Sequence, residues 1–178
     1  MSVAQPRWGW HQLADDWACR LVADAGINPG DLVLDIGAGS GALTAPLVRA
    51  GARVIAFELH PGRAAALRAR FGTDQVKVVQ VDVADLRLPR RPFRVVANPP
   101  FALTTAVLRR LLTRGSRLVA ADLVLPRYAA VRWAAGRGPG ADRWSRQFDL
   151  AYVGLPHTAL RPAPPGRTAL LQIRRRGW

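Results

Sequence analysis

The sequence predicts an α/β fold: a mostly parallel, seven-stranded sheet covered by helices on both faces, with an antiparallel hairpin at one edge. Three observations carry this prediction. Short, nearly unbroken apolar runs alternate with segments whose apolar residues recur at three- and four-residue spacing. The first such run ends in a glycine cluster, Gly37, Gly39 and Gly41, where the next helix is expected to begin. After Gly136 the alternation stops, and two strands follow with no helix between them.

A helix is expected over 11–25, where Leu13, Trp17, Leu21 and Ala25 share one stripe; Gly26 and the Asn28-Pro29-Gly30 turn end it. Residues 31–36 form the first strand of the sheet, and their continuous apolar character marks burial on both faces. Residues 42–50 read as a helix closed by Gly51, and 53–58 as the second strand. The helix over 60–71 opens with His60 and with Pro61 at a first-turn position, where a missing N–H leaves nothing unsatisfied. The third strand covers 76–81, a Pro/Arg loop runs to Pro92, and the fourth strand is 93–97. A helix over 103–112, a strand over 117–125 and a helix over 127–135 complete the alternation. A Gly/Pro/Arg loop (136–143), a strand at 148–155, a Pro-rich link (156–165) and a last strand at 168–173 build the edge hairpin. Proline cannot donate to a ladder, so a Pro-rich link suits an edge.

The 178 residues suffice for one domain with a substantial core, and 49% hydrophobic against 21% charged residues argues against wholesale disorder. Lys plus Arg is 26 against 12 Asp plus Glu, a formal net charge of +14, and Lys77 is the one lysine. Such an excess on so small a domain predicts a polyanionic partner. One cysteine, Cys19, allows no internal disulfide, and no Cys/His cluster has ligand spacing, so no metal is expected. There is no signal-peptide pattern and no apolar run of membrane-spanning length. A cytoplasmic monomer with no membrane partner is expected. No period of repeat length recurs, which excludes a solenoid or propeller.

Asp35-Ile-Gly37-Ala-Gly39-Ser-Gly41 lies at the carboxyl end of the first strand, where open α/β sheets bind ligands. Glycines there let a ligand approach the backbone, and the following helix offers free N–H groups. Gly37-x-Gly39-x-x-Ala42 also fits the dinucleotide pattern, so a nicotinamide enzyme has to be weighed. Against it, Asp35 is badly placed beside a pyrophosphate, no second substrate domain is expected, and +14 serves no small substrate. Glu58, ending the second strand, is suited to accept from two ribose hydroxyls of a nucleoside cofactor. Asp82, ending the third, is placed either to accept from an adenine amino group or to cap a turn.

Asn98-Pro99-Pro100-Phe101 follows the buried run Val95-Val96-Ala97 and so projects from the fourth strand beside the glycine loop. Pro99 and Pro100 fix their own φ and push the preceding residues out of the helical region, holding the Asn98 amide and the Pro99 carbonyl outward. An exocyclic aromatic amine is a poor nucleophile because its lone pair is delocalised into the ring. Two acceptors aimed at its N–H bonds turn that lone pair out of the plane. The side-chain oxygen of Asn98 and the carbonyl of Pro99 are the candidates, and Phe101 offers a face for an extruded base.

The glycine loop, Glu58, Asp82 and the Asn98-Pro99-Pro100-Phe101 tetrad together resemble the class I, Rossmann-like S-adenosyl-L-methionine-dependent N6-adenine methyltransferases. Within them the chain resembles the Erm 23S rRNA methyltransferases, whose product confers resistance to macrolides, lincosamides and streptogramin B. The likeness runs from about Leu13 to Ile173, including Arg161-Pro-Ala-Pro and Thr168-Ala-Leu-Leu. It implies S-adenosyl-L-methionine as cofactor and 23S rRNA or a pre-ribosomal particle as partner. It further implies Gly37 along the methionine part with Asp35, Gly39 and Gly41 forming the loop, Glu58 on the ribose and Asp82 on the adenine. Asn98 would lie between cofactor and target, Pro99 would supply the second acceptor and Phe101 would clamp the base.

The family's opening Gln-Asn-Phe-Leu is absent: Trp8-Gly-Trp-His-Gln-Leu13 stands there, with Trp10 set opposite the family's Asn. The resemblance is to the short, mycobacterial-type members without a C-terminal helical domain, so a single catalytic domain over 1–178 with an N-terminal arm at 1–12 is expected. The RNA footprint then falls on arginines of that domain, among them Arg7, Arg90, Arg91, Arg109, Arg110, Arg127, Arg132 and the tail Arg174 to Arg176. The related 16S rRNA dimethyladenosine transferases, a non-catalytic rRNA-binding factor and an N6-adenine DNA methyltransferase are the alternatives.

Overall fold

The computed structural model describes residues 11–72 and 74–178. The chain runs β1 (Gln12–Leu13), α1 (Asp15–Asp24), β2 (Leu32–Ile36), α2 (Thr44–Arg49), β3 (Arg53–Phe57), α3 (Pro61–Phe71), β4 (Val76–Val79) and β5 (Phe93–Ala97). It continues through α4 (Thr104–Leu111), β6 (Leu118–Pro126), α5 (Arg127–Ala134), α6 (Ala141–Trp144), β7 (Phe148–Leu155), β8 (Leu160–Arg161) and β9 (Thr168–Arg175). Seven strands form one sheet in the order β4-β3-β2-β5-β6-β9-β7. The pairs β2–β3, β3–β4, β2–β5 and β5–β6 are parallel, and β9 is antiparallel to both its neighbours. β9 is therefore the single reversed strand of this sheet.

Period-two alternation along the central strands feeds two cores. Leu34 and Ile36 of β2 and Val95 and Ala97 of β5 pack with Val107, Leu108 and Leu111 of α4 and Trp133 of α5. Val33 and Val96 point the other way, toward Leu21 of α1, Leu47 of α2 and Leu67 of α3. Strands buried on both faces explain the continuous apolar runs.

Several expectations are corrected. The helix expected over 11–25 starts only at Asp15, because Gln12 and Leu13 pair antiparallel with Arg161 and Leu160. Asp15 and Asp16 then occupy the first turn, where carboxylates suit the positive end of the helix. Leu13 is buried as expected, but as a strand residue. Trp17 is half-buried against the second core, with the Arg20 guanidinium over its ring. The third sheet strand stops at Val79, since residues 83–85 close a 3-10 turn. The loop expected at 136–143 contains the start of α6, whose buried Trp144 stacks on Trp133 at 5.6 Å between centroids. In the edge hairpin β7 is the outer strand and β9 the interior one. Pro126, Thr168 and Leu155 lie in register, so the Pro-rich link joining β7 to β9 sits at the carboxyl end of the parallel strands. Arg7, Trp8 and Trp10 lie outside the described residues.

Candidate functional site

The chain leaves β2 toward β3 and β4 on one side and returns through β5 and β6 on the other, so strand order reverses between β2 and β5. A crevice opens at such a reversal. The glycine loop follows β2 and the Asn98 tetrad follows β5. Gly37 has φ +79°, and a Cβ built there would stand 2.9 Å from Pro100 Cδ and 3.3 Å from Pro99 Cα. Only glycine permits this approach of the two loops. The Gly37 and Ala38 N–H groups both donate to the Phe57 carbonyl, at 2.8 and 3.0 Å, which ties the loop to the end of β3.

Beside this junction lies a cavity of about 390 Å³, of the size that holds a small ligand, whose lining includes Gly37, Glu58, Asp82, Asn98, Pro99 and Phe101. A smaller recess is lined in part by Asp35, Gly39 and Asn98. Asn98 and Gly37 border both. Gly41 borders neither; its φ is +92°, and a Cβ there would meet the Phe71 ring of α3 at 2.8 Å, so it serves packing.

Glu58 is 6% exposed. Its Oε2 accepts from the Gly39 N–H at 2.8 Å, its Oε1 accepts from the His60 N–H at 2.9 Å, and the Arg63 guanidinium stands 3.8 Å from Oε1. A carboxylate held this way keeps acceptor capacity on each oxygen for a ligand. Of the two roles open to Asp82, the turn cap is formed: Oδ1 accepts from the Ala84 N–H at 2.9 Å, capping the 3-10 turn, and the residue also lines the cavity. His60 is the N-cap of α3, and its ring nitrogen accepts from the Arg63 N–H. Asp35 is buried, and Thr44 Oγ1 donates to its Oδ2 at 2.7 Å. Burial pushes its carboxyl up to about 7, the charge of Glu58 adds to the rise, and the Thr44 hydrogen bond opposes it.

Asn98 Nδ2 donates to the His11 carbonyl at 2.7 Å. A backbone carbonyl only accepts, so the amide nitrogen must face it and Oδ1 is turned to the opposite edge of the amide. His11 also stacks its ring on Phe101, with centroids 5.6 Å apart, and its Nδ1 lies 2.7 Å from the Pro162 carbonyl, so Nδ1 carries a proton. Sequence reasoning placed His11 inside a helix and missed this role. The only available signal was the altered opening motif, Trp8-Gly-Trp-His-Gln-Leu13, which stands where the family has Gln-Asn-Phe-Leu.

The expected arginine footprint is also revised. Arg174 donates to Asp122 at 2.9 Å and to the Ala121 carbonyl, and Arg175 donates to the Leu118 and Ser116 carbonyls. Arg176 pairs with Asp149 at 2.7 Å, and Arg110 donates to the Ala84 carbonyl. Much of the tail thus stitches β9 to its surroundings. Among the described residues no cluster of His, Cys, Asp or Glu is arranged to hold a metal, and no helix is long and apolar enough to cross a membrane.

Residues 7–147 match the family model described as ribosomal RNA adenine dimethylase. The rRNA adenine N-6-methyltransferase of Corynebacterium diphtheriae is 36% identical over 150 residues, covering 82% of this chain and 58% of that protein. Ribosomal RNA small subunit methyltransferase A of Thermosynechococcus vestitus is 39% identical over 116 residues, covering 63% of this chain and 43% of its own length. The chain spans about half the length of these curated relatives. Among solved structures, the 23S rRNA methyltransferase ErmE superposes with a TM-score of 0.82 at 26% identity, over 93% of this chain and 70% of that one. A family model matched over most of the chain, on a sheet with this order and this crevice, shows that the chain belongs to the ribosomal RNA adenine dimethylase family.

Proposed function

We propose that this protein is a monomeric, cytoplasmic methyltransferase that methylates N6 of an adenosine in 23S rRNA from S-adenosyl-L-methionine, conferring macrolide, lincosamide and streptogramin B resistance. The observation that carries the reading is the Asn98 amide, clamped through Nδ2 by the His11 carbonyl so that Oδ1 is free to accept, on a Pro-Pro loop packed against Gly37. The likeness to ErmE supports the 23S target.

The residues present fit the cofactor. Glu58 has fixed oxygens with acceptor capacity left for a ribose diol, Asp82 borders the same cavity where the adenine amino group would lie, and the glycine loop admits a ligand against its backbone. Gly37 and Asp35 would flank the methionine part, with Gly39 shaping the loop and Gly41 packing it on α3. When bound, the cofactor supplies a methyl group activated by a sulfonium. Asn98 Oδ1 and the Pro99 carbonyl accept from the two N–H bonds of the target amine and turn its lone pair outward. Phe101, braced by the His11 ring, stacks on the extruded base. Transfer to N6 would break the bond between the methyl carbon and sulfur, leave its electron pair on a neutral thioether as leaving group and release one N6 proton to solvent, so no strong base is needed.

The test is purified protein with tritiated S-adenosyl-L-methionine and, separately, unmodified 23S rRNA, 16S rRNA and duplex DNA, followed by nucleoside analysis and primer extension. Methyl-N6-adenosine at one position of 23S rRNA is expected. Label confined to 16S rRNA would replace this reading with the small-subunit one, which the Thermosynechococcus relative favours. Label confined to DNA would replace it with a DNA methyltransferase. Failure to bind the cofactor in calorimetry would replace it with an rRNA-binding factor.

A further inference from the structure

The formal charge is unevenly spread along the chain. Residues 1–85 hold 8 of the cations and 9 of the carboxylates, whereas residues 86–178 hold 18 and 3. The first part contains β2, β3 and β4 and most of the lining of the cavity; the second contains β5, β6, β9 and β7. Neither 123–141 nor 150–178 contains a single Asp or Glu. These two segments meet at the carboxyl end of β6 and β7, where Pro126 and Leu155 are both in register with Thr168.

Large rings stand in the open at that rim. Tyr128, in the first turn of α5, is 77% exposed, and Tyr152 and Val153 of the edge strand β7 are 38% and 55% exposed. The Arg127 guanidinium lies 5.8 Å from the centroid of the Tyr152 ring, and the Arg127 N–H donates to the Arg167 carbonyl at 2.8 Å. The rim connects to the Asn98 crevice through the Pro-rich link: Arg161 pairs with Gln12, and Pro162 accepts from His11, which stacks on Phe101. β7 is three strand spacings from β5, or ~14 Å, outside the lining of the cavity, which ends at Leu103, and a span that a few nucleotides cover.

Resting on the rRNA reading above, we propose that Tyr128 and the Arg127–Tyr152 pair form a stacking platform for the unpaired RNA nucleotides that flank the target adenosine. Extracting a base from folded RNA leaves its neighbours unstacked, and an exposed ring beside a guanidinium offers them a new face while the arginines take the phosphates. A protein partner would place carboxylates against so many arginines; an RNA strand supplies the negative charge on every residue of its backbone. Every base has a π-face, so the platform accepts flanking nucleotides of any identity.

The test compares the wild type with Tyr128→Ala and Tyr128→Phe. Fluorescence anisotropy with a single-stranded, adenosine-containing RNA oligonucleotide reads affinity independently of catalysis, and calorimetry reads the cofactor. The platform predicts that Tyr128→Ala weakens RNA binding roughly five-fold or more, that Tyr128→Phe restores it, and that cofactor affinity does not move. Where rRNA is labelled, KM for RNA rises in parallel. Equal oligonucleotide affinity for Tyr128→Ala and wild type overturns the proposal. So does a wild-type dimer in sedimentation that Tyr128→Ala dissociates, since the rim would then be a contact between copies. If the wild type methylates no rRNA, the reading above fails, while the anisotropy result still decides the platform.

Discussion

At Asn98 a donor has been matched to a carbonyl, and that pairing leaves Oδ1 as the acceptor that the proposed reaction uses. Asn98→Asp keeps the shape but puts a carboxylate oxygen against the His11 carbonyl, losing the donor that orients the group. It is expected to lower methyl transfer by on the order of 100-fold or more, by analogy with loss of one positioned polar group in other active sites. Radiolabel transfer measured beside cofactor affinity checks this, and unchanged transfer would remove Asn98 from the chemistry. Gly37 makes a second prediction. Any Cβ there combines a left-handed φ with a 2.9 Å approach to Pro100, so Gly37→Ala should lower stability by about 1–3 kcal/mol and push the tetrad away from the glycine loop. Chemical denaturation reads the loss. Asp35 supplies a pH dependence. Its native carboxyl titrates near 7, against about 4 when unfolded, so between those values the native state holds a proton that the unfolded chain has released. The stability this contributes is full at low pH and falls as pH rises through 7. Relative to Asp35→Asn, the wild type should lose on the order of 2–3 kcal/mol between pH 5 and 8. Parallel pH profiles for the two proteins would refute this.

The alternating elements β2 to α5 were legible because each carries its own period and its own boundary signal, such as Gly51 closing α2 or Pro61 opening α3, and each packs on near neighbours in the chain. Glu58, Asp82 and the tetrad were legible for a related reason: parallel strands all end on one side, so a polar residue closing an apolar run must face the crevice. What escaped depended on distant pairing. β1 and β8 are two residues each and join Gln12 to Arg161, and a two-residue strand has no period to read. The insertion of β9 between β6 and β7 is equally invisible, since strand order is decided by partners and not by the strand's own sequence. The roles of Arg174 and Arg175 followed the same logic: Asp122 and the Ala121, Leu118 and Ser116 carbonyls they hold are more than 50 positions away. The β1–β8 clamp carries His11, and its side chain can be tested apart from its backbone. His11→Ala removes an aromatic stack and a hydrogen bond, each worth about 0.5–1.5 kcal/mol. It should lower kcat roughly ten-fold, whereas His11→Phe, which keeps the stack, should recover part of it. A purely structural role would instead move both variants in melting temperature with kcat per folded molecule intact.

Across the whole molecule, the reversal of strand order between β2 and β5 is also a boundary of charge. The near-neutral half carries Glu58 and Asp82, the residues proposed to meet a nucleoside at close range, where a strong positive field serves no purpose. The cationic half carries the tetrad and the rim of β6, β9 and β7, where a polyanion would lie. Since phosphate contacts release counterions, the logarithm of affinity for RNA should fall linearly with the logarithm of salt, by about 0.7 per phosphate neutralised on a single strand. Arg161→Gln, exposed on β8 where it pairs with Gln12, should lower that slope by about one contact. Arg68→Gln, exposed on α3 in the near-neutral half, should leave the slope where it was, although it removes the same formal charge. If both changes lowered the slope equally, net charge alone would explain binding. A difference between them would locate the RNA on the β5 to β7 side, because long-range attraction responds to total charge whereas counterion release counts only the phosphates actually touched.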